Sequence, residues 1–212
     1  MRRLAHVLLA GLAAAVILAS GPARAAGLST APKANPDGPA PQAKQEKPKP
    51  KTLAEERAEL YARLAASKDA DETEGIVGRL LRSYSESGSD TGDLLLQHAR
   101  HAIAVEEYDD ALKILDATIA LLPDWAEGWN ARATVRYLND DYNGSMADIA
   151  QTLKRDPNHL GALMGMAAIL EARDKKEDAL KVYERALAIA PHWRNAEEAA
   201  DKLKAALAGE EL

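Results

Sequence analysis

His98 and His101 stand one helical turn apart, a spacing at which two imidazoles can share a metal ion if a third ligand converges on them. No third ligand is evident nearby, and His98 is expected to face a core, so a packed or surface pair is the plainer reading. Asp90-Thr91-Gly92 spells the triplet of aspartic proteases. That chemistry needs a rigid β frame and a second carboxylate sharing its proton, whereas this triplet opens a helix and is expected to cap it. No serine, histidine and acid arrangement, phosphate-binding loop or HExxH stretch is present. The chain is therefore expected to be no enzyme, and to need no cofactor and no metal. A metal- or small-molecule-binding module built on His98 and His101 stays as an alternative.

The elements that would position these residues follow from a period. Pro123, Pro157 and Pro191 are 34 residues apart, twice over. A fixed period of that length marks a stack of helical hairpins, each burying its apolar face only against its neighbours. Phenylalanine is absent, Ala, Leu, Glu, Lys and Arg dominate, and apolar residues recur at intervals of three and four, so the folded part is expected to be all helix.

Two segments precede it. Arg2 and Arg3, the apolar run Leu4 to Ala19 broken only by His6, and Ala23-Arg24-Ala25 form a signal sequence over 1–25, with cleavage expected after Ala25. Gly11, Gly21 and Pro22 weaken a long helix there. The alternative is an uncleaved anchor, since the run approaches the ~18 residues a spanning helix needs. A periplasmic location is expected, or an inner-membrane one if the segment stays. Residues 26–52 hold six of the ten prolines and five lysines, and read as an extended linker too poor in apolar surface to fold. Lys44 to Lys51 is a basic run, read as a solvated spacer; contact with anionic headgroups or peptidoglycan acids is its alternative.

The full chain carries 27 basic and 33 acidic side chains; without the three arginines of residues 1–25 the balance is 24 against 33, a net charge of −9. Nucleic acid and anionic lipid are therefore not favoured partners of the folded part. No cysteine is available for a disulfide, a thiolate metal site or a lipid tether.

Residue types then fix the phase of the repeat. Trp129, Ala133, Ser145 and Ile149 precede Pro157; Leu163, Ala167, Leu170, Ala179, Tyr183 and Ala186 precede Pro191; Leu95, Ala99, Ala111 and Leu115 precede Pro123. Small residues at two fixed places let paired helices approach, and large ones fill the gap between them. With its prolines, this pattern resembles the tetratricopeptide repeat family over Thr91 to Pro191. The resemblance implies an all-α, right-handed solenoid of antiparallel helix hairpins with three repeats, 91–124, 125–158 and 159–193. Tyr61, Leu64, Ala65, Val77 and Leu81 keep the phase upstream, with Ser89 in place of the proline, so 53–90 is expected to be a degenerate hairpin capping the stack. Residues 194–212 supply a C-terminal capping helix and tail. Asp90, Asp124 with Glu127 as a capping box, and Asn158 are the expected helix caps.

The runs Trp129 to Thr134, Tyr137-Leu138, Asp141-Tyr142, Ser145 to Ile149 and Asp156 to Leu163 resemble more closely a group of exported, mainly alphaproteobacterial proteins of this family. That likeness implies location and fold rather than an activity. Where the general repeat carries Leu and Tyr, this chain has Arg132 and Arg136. A charge at a core place is costly unless paired, so Arg132 is expected to reach Asp148 or Asp116. The sharper alternative is a cation offered to a ligand carboxylate.

Carried over from peptide-binding members of the family, the groove positions are Leu96, Arg100 and Ile103, then Asn130, Thr134 and Tyr137, then Met164, Ala168 and Glu171. None is Lys, so the resemblance does not extend to a carboxylate clamp; an extended segment with aliphatic anchors, or a partner helix, is the expected ligand. The expected function is a non-enzymatic adaptor of the bacterial envelope holding a protein or peptide in that groove. A self-associating structural scaffold without a groove ligand is the alternative.

Overall fold

The computed structural model describes residues 51–210; the expected signal sequence and nearly all of the expected linker lie outside these residues. Among the described residues the chain forms nine helices and no strand: α1 (Leu53–Ala65), α2 (Ala70–Tyr84), α3 (Asp90–Ala104), α4 (Tyr108–Leu121), α5 (Ala126–Leu138), α6 (Tyr142–Arg155), α7 (Leu160–Ala172), α8 (Lys176–Ile189) and α9 (Arg194–Glu210). Helices α3 to α8 are three antiparallel hairpins stacked in chain order, an all-α solenoid.

The period is written into the packing. Ala99, Ala133 and Ala167 recur on the first helices and Ala111, Ser145 and Ala179 on the second, and all six are buried where the two helices of a hairpin meet. At Ser145 the hydroxyl donates to the carbonyl of Ala133 at 2.7 Å, so a polar residue occupies an alanine's place at no cost in unpaired groups. The three turns between the helices of a hairpin place Glu106, Asp140 and Asp174, again 34 apart, at φ of 62°, 59° and 56°. A left-handed residue just past a helix end lets the chain reverse and satisfies the last carbonyls.

Helix starts depart from the sequence expectation by one residue each. Ser89, not Asp90, caps α3, accepting from the N–H of Gly92. Trp125, not Asp124, precedes α5, and no side chain caps that helix. His159, not Asn158, caps α7, its Nδ1 accepting from the N–H of Ala162 at 3.2 Å. The rings set this register: Trp125, His159 and Trp193 are spaced by 34, and each is buried at the head of a helix. Burying those rings outweighs the small preference for an Asp or Asn cap.

The N-terminal hairpin is the larger departure. Thr52 and Glu55 close a capping box at α1 and Asp69 caps α2, but the hairpin does not cap the stack against α3. Instead α2 runs along the row of turns that join successive repeats. Near its end, the carbonyl of Tyr84 accepts from Trp125 Nε1 at 3.0 Å, and the Tyr84 ring stacks on His159 with centroids 3.9 Å apart. Near its start, the Thr73 hydroxyl donates to the carbonyl of Pro191 at 2.7 Å, and Asp71 pairs with Arg194. Leu60, Leu64, Ile76, Val77 and Leu80 join one core with Leu160, Leu163, Trp193 and Ala196. In this position the hairpin covers the rings at the heads of α5, α7 and α9 and removes their apolar surface from water. At the other end α9 closes the stack, burying Ala196, Ala200 and Leu203 against the last hairpin.

Candidate functional site

The first helices of the three repeats adjoin one another, α3 to α5 and α5 to α7, while α4, α6 and α8 stand further apart. The first helices therefore lie inside the curve of the stack and line its inner surface. Asn130, Thr134 and Tyr137 recur as Met164, Ala168 and Glu171 at an interval of 34, and all six are half-buried along α5 and α7. Ile103 is half-buried on α3 and packs on the first-repeat core. Leu96 does not line this surface: only 1% exposed, it is packed with Ala131 and Val135 of the next repeat, because a leucine there fills the gap between α3 and α5.

Both charged positions of the lining are already engaged. Arg100 donates to Glu127 Oε1 at 3.0 Å and to the hydroxyl of Ser85 at 2.9 Å. Glu171 accepts from the hydroxyl of Tyr183 at 2.6 Å, and that hydroxyl is held protonated well above the usual tyrosine range by burial and by the carboxylate. What the surface offers is chiefly small and apolar: Thr134, Met164, Ala168 and the Tyr137 ring, which packs at 5.6 Å against Tyr142.

Sequence reasoning missed the roles of Glu127, His159 and Tyr84, which form the polar end of this surface. Glu127 is buried, with one oxygen on Arg100 and the other 3.0 Å from Asn130 Nδ2 and 3.3 Å from His159 Nε2. His159 Nδ1 accepts at the cap of α7, which turns the Nε2 edge of the ring toward the carboxylate. Burial opposes the charge on Glu127, but His159, Arg100 and Asn130 outweigh it and hold the acid below its ordinary value. Behind His159, the Tyr84 hydroxyl lies 2.6 Å from that of Tyr61, which also reaches Asp156 at 3.0 Å; burial, first of all, pushes both phenols up. The 34-residue recurrence of Trp125, His159 and Trp193 was the available signal that something covers this edge.

The second charged cluster faces away from the lining. Arg132 grips Asp148 with Nε at 2.9 Å and Nη2 at 2.7 Å, and reaches Asp116 with Nη1 at 2.7 Å. Arg136 lies 2.9 Å from the other side of Asp148, which is 3% exposed. The hydrogen bonds to Asp148 raise the Arg132 pKa further above its already high value. The guanidinium carbons of Arg132 and Arg155 lie 5.0 and 4.6 Å from the centre of the Trp129 ring. With Asp148 ringed by two arginines, this is a packed ion cluster between α5 and α6, with the third guanidinium nitrogen spent on α4.

His98 faces solvent rather than a core, and so does His101. Among the described residues no group of three or more His, Asp and Glu side chains is placed to hold a metal, and no helix is long and apolar enough to cross a membrane. Asp90-Thr91-Gly92 forms the first turn of α3.

No protein-family model matches the chain. It is 41% identical over 151 residues to a TPR repeat-containing protein of Rhizobium etli, covering 71% of this chain and 74% of that one. Among solved structures, the first TPR of Spaghetti (RPAP3) bound to the HSP90 peptide SRMEEVD is similar with a TM-score of 0.53 and 22% identity, over 57% of this chain and 95% of that one. The TPR2B domain of yeast Sti1 in its pHsp70 complex aligns with a TM-score of 0.51 and 18% identity, over 55% and 98%. At these identities the structural likeness speaks for the fold.

Proposed function

The chain belongs to the tetratricopeptide repeat family, and on that premise we propose that it is a non-catalytic adaptor whose inner surface holds an extended peptide or a partner helix. The observation that carries the reading is the state of that lining. Its cation and its anion are tied up within the protein, leaving Thr134, Tyr137, Met164 and Ala168 as the groups a ligand would meet. Such a surface suits aliphatic anchors spaced along a segment better than a terminal carboxylate. The Spaghetti (RPAP3) domain, of the same fold, holds the peptide SRMEEVD, and the Sti1 domain is in a pHsp70 complex, which supports a peptide class of ligand. A preformed groove lowers the ordering cost of the bound segment, and the partner's side chains set specificity. The leader read over residues 1–25 puts the adaptor in the bacterial envelope, released into the periplasm after cleavage or tethered to the inner membrane without it.

The test is photocrosslinking in cells from a benzoylphenylalanine at position 137, close in shape to the tyrosine it replaces, with position 175 as the exposed control. A discrete protein adduct from 137 and none from 175 supports the groove and identifies its client. Identical adducts from both positions, or none, overturn it.

A further inference from the structure

In the second and third repeats, one flank of the hairpin is buried by the repeat before it. Gly128, Val135 and Asp148 lie on that flank in the second, and Ala162, Ile169 and Val182 in the third; all six are buried. Thirty-four residues earlier the same places hold Leu94, His101 and Ile114. Leu94 is 51% exposed, His101 is exposed and Ile114 is half-covered. The flank is open because α2 follows the row of turns instead of stacking on α3. All three exposed large hydrophobic residues among the described ones, Leu94, Val105 and Leu121, lie on this first repeat.

The open flank has a pattern. Leu94, His98, His101 and Val105 form one stripe of α3, at helical intervals of four, three and four residues; Asp110, Ile114, Ala117 and Leu121 form its counterpart on α4. Between the stripes lies an open cleft of about 450 Å³ lined by His98, His101, Glu107, Asp110 and Ile114.

We propose that this flank is the contact surface for a second copy of the chain, in a two-fold dimer that lays α3 of one copy on α4 of the other. Because α3 and α4 are antiparallel, Leu94 and Leu121 are level at one end of the face, and His101 is level with Asp110 at the other. The two-fold arrangement sets Leu94 on Leu121 of the second copy and aims the imidazole N–H groups of His98 and His101 at the carboxylates of its Glu107 and Asp110. Asp110 is at present bonded to Lys113, at 2.7 Å, in an exposed pair that offers little resistance. Head-to-tail stacking lacks a counterpart: the far end is closed by α9, whose outward side carries Glu198, Asp201, Lys202 and Lys204, all exposed. Two helices of about 22 Å make a face at the low end of stable interface sizes, so the dimer forms at micromolar concentrations.

Sedimentation velocity of the full chain between about 1 and 300 μM should show a monomer–dimer equilibrium. Leu94→Glu and Leu121→Glu, both at exposed positions, should each weaken it at least about tenfold with unchanged helical circular dichroism. Because the chain has no cysteine, a Leu94→Cys chain oxidised with a differently tagged Leu121→Cys chain should give a covalent heterodimer in excess of either homodimer. A monomer throughout the range overturns the proposal, whether the thiol introduced at position 94 then reacts freely with a maleimide or is shielded by residues 1–50. A dimer indifferent to both glutamate substitutions overturns it too.

Discussion

Tyr84 and His159, 75 residues apart in the chain, stack ring on ring at 3.9 Å with an interplanar angle of 19°. Through this contact the last turn of α2 covers the head of α7, and the Tyr84 hydroxyl adds bonds to Tyr61 and, at 3.4 Å, to the N–H of Leu160. Tyr84→Phe keeps the ring and should cost about 1–2 kcal/mol for the lost hydrogen bonds. Tyr84→Ala also leaves a cavity against His159 and should cost about 3–5 kcal/mol. Urea titration followed by circular dichroism reads both. An alanine variant no worse than the phenylalanine one would mean that the hairpin is not docked through this ring.

Glu127 predicts a specific pH dependence. Its folded pKa lies below its ordinary value, so its contribution is complete above the unfolded carboxylate range near pH ~4.3 and is lost as the pH falls through the lower folded value. Glu127→Gln, which cannot titrate, should be less stable than the wild type by about 1–2 kcal/mol at pH 7. The gap should narrow as the pH falls below the carboxylate range. Urea midpoints for both proteins across that range decide it; a gap that widens toward acid contradicts the assignment.

At the Arg132–Asp148 cluster, the third repeat supplies the control. It fills the equivalent places with Met166 and Val182. Asp148→Val alone takes away the buried carboxylate that Arg132 and Arg136 share, leaving Arg132 only Asp116, and should cost about 3 kcal/mol. Adding Arg132→Met should restore a good part of that loss, because a packed apolar pair replaces an ion pair at little net cost. A double variant as unstable as the single one, in thermal and urea unfolding, would show that Arg132 contributes through Asp116 and Trp129 instead.

The left-handed residues give a prediction of opposite sign. Asp174 holds φ at 56°, a conformation that costs a residue with a β-carbon. Asp174→Gly should leave stability unchanged or raise it by up to about 1 kcal/mol, whereas the β-branched Asp174→Val should lower it by about 1–2 kcal/mol. Melting temperatures of the two variants separate them.

Much of the solenoid was legible because a repeat prints its packing as a period. Ala99, Ala133 and Ala167 must be small for the helices to meet, and nothing beyond their spacing is needed to see it. The pairing of Arg132 with Asp148 was legible for a related reason: a charge at an apolar place implies a partner within reach. Docking of α1 and α2 was not. Periodicity shows which side of α2 is apolar but not which neighbour it meets, and a stack's end and its row of turns are both apolar targets. Trp125, His159 and Trp193 held the answer, as rings at the heads of helices where a polar cap was expected. Leu96 was misplaced because a groove position in one repeat is core in another when its residue is large enough to reach the next helix. His98 was misplaced because its flank has no preceding repeat to cover it.

The bond from Thr73 to Pro191 spans 118 residues. In a plain stack each hairpin can settle as it is synthesised, since it needs only the one made before it. Here the end of α2 can settle on Trp125 and His159 as those repeats are made, but its start must wait for the head of α9 before it is covered. The hairpin of α1 and α2 is thus an unfinished client of its own chain until residues 191–193 have been made. Truncation before residue 191 should therefore expose α1 and α2 to protease even where the intervening hairpins have folded.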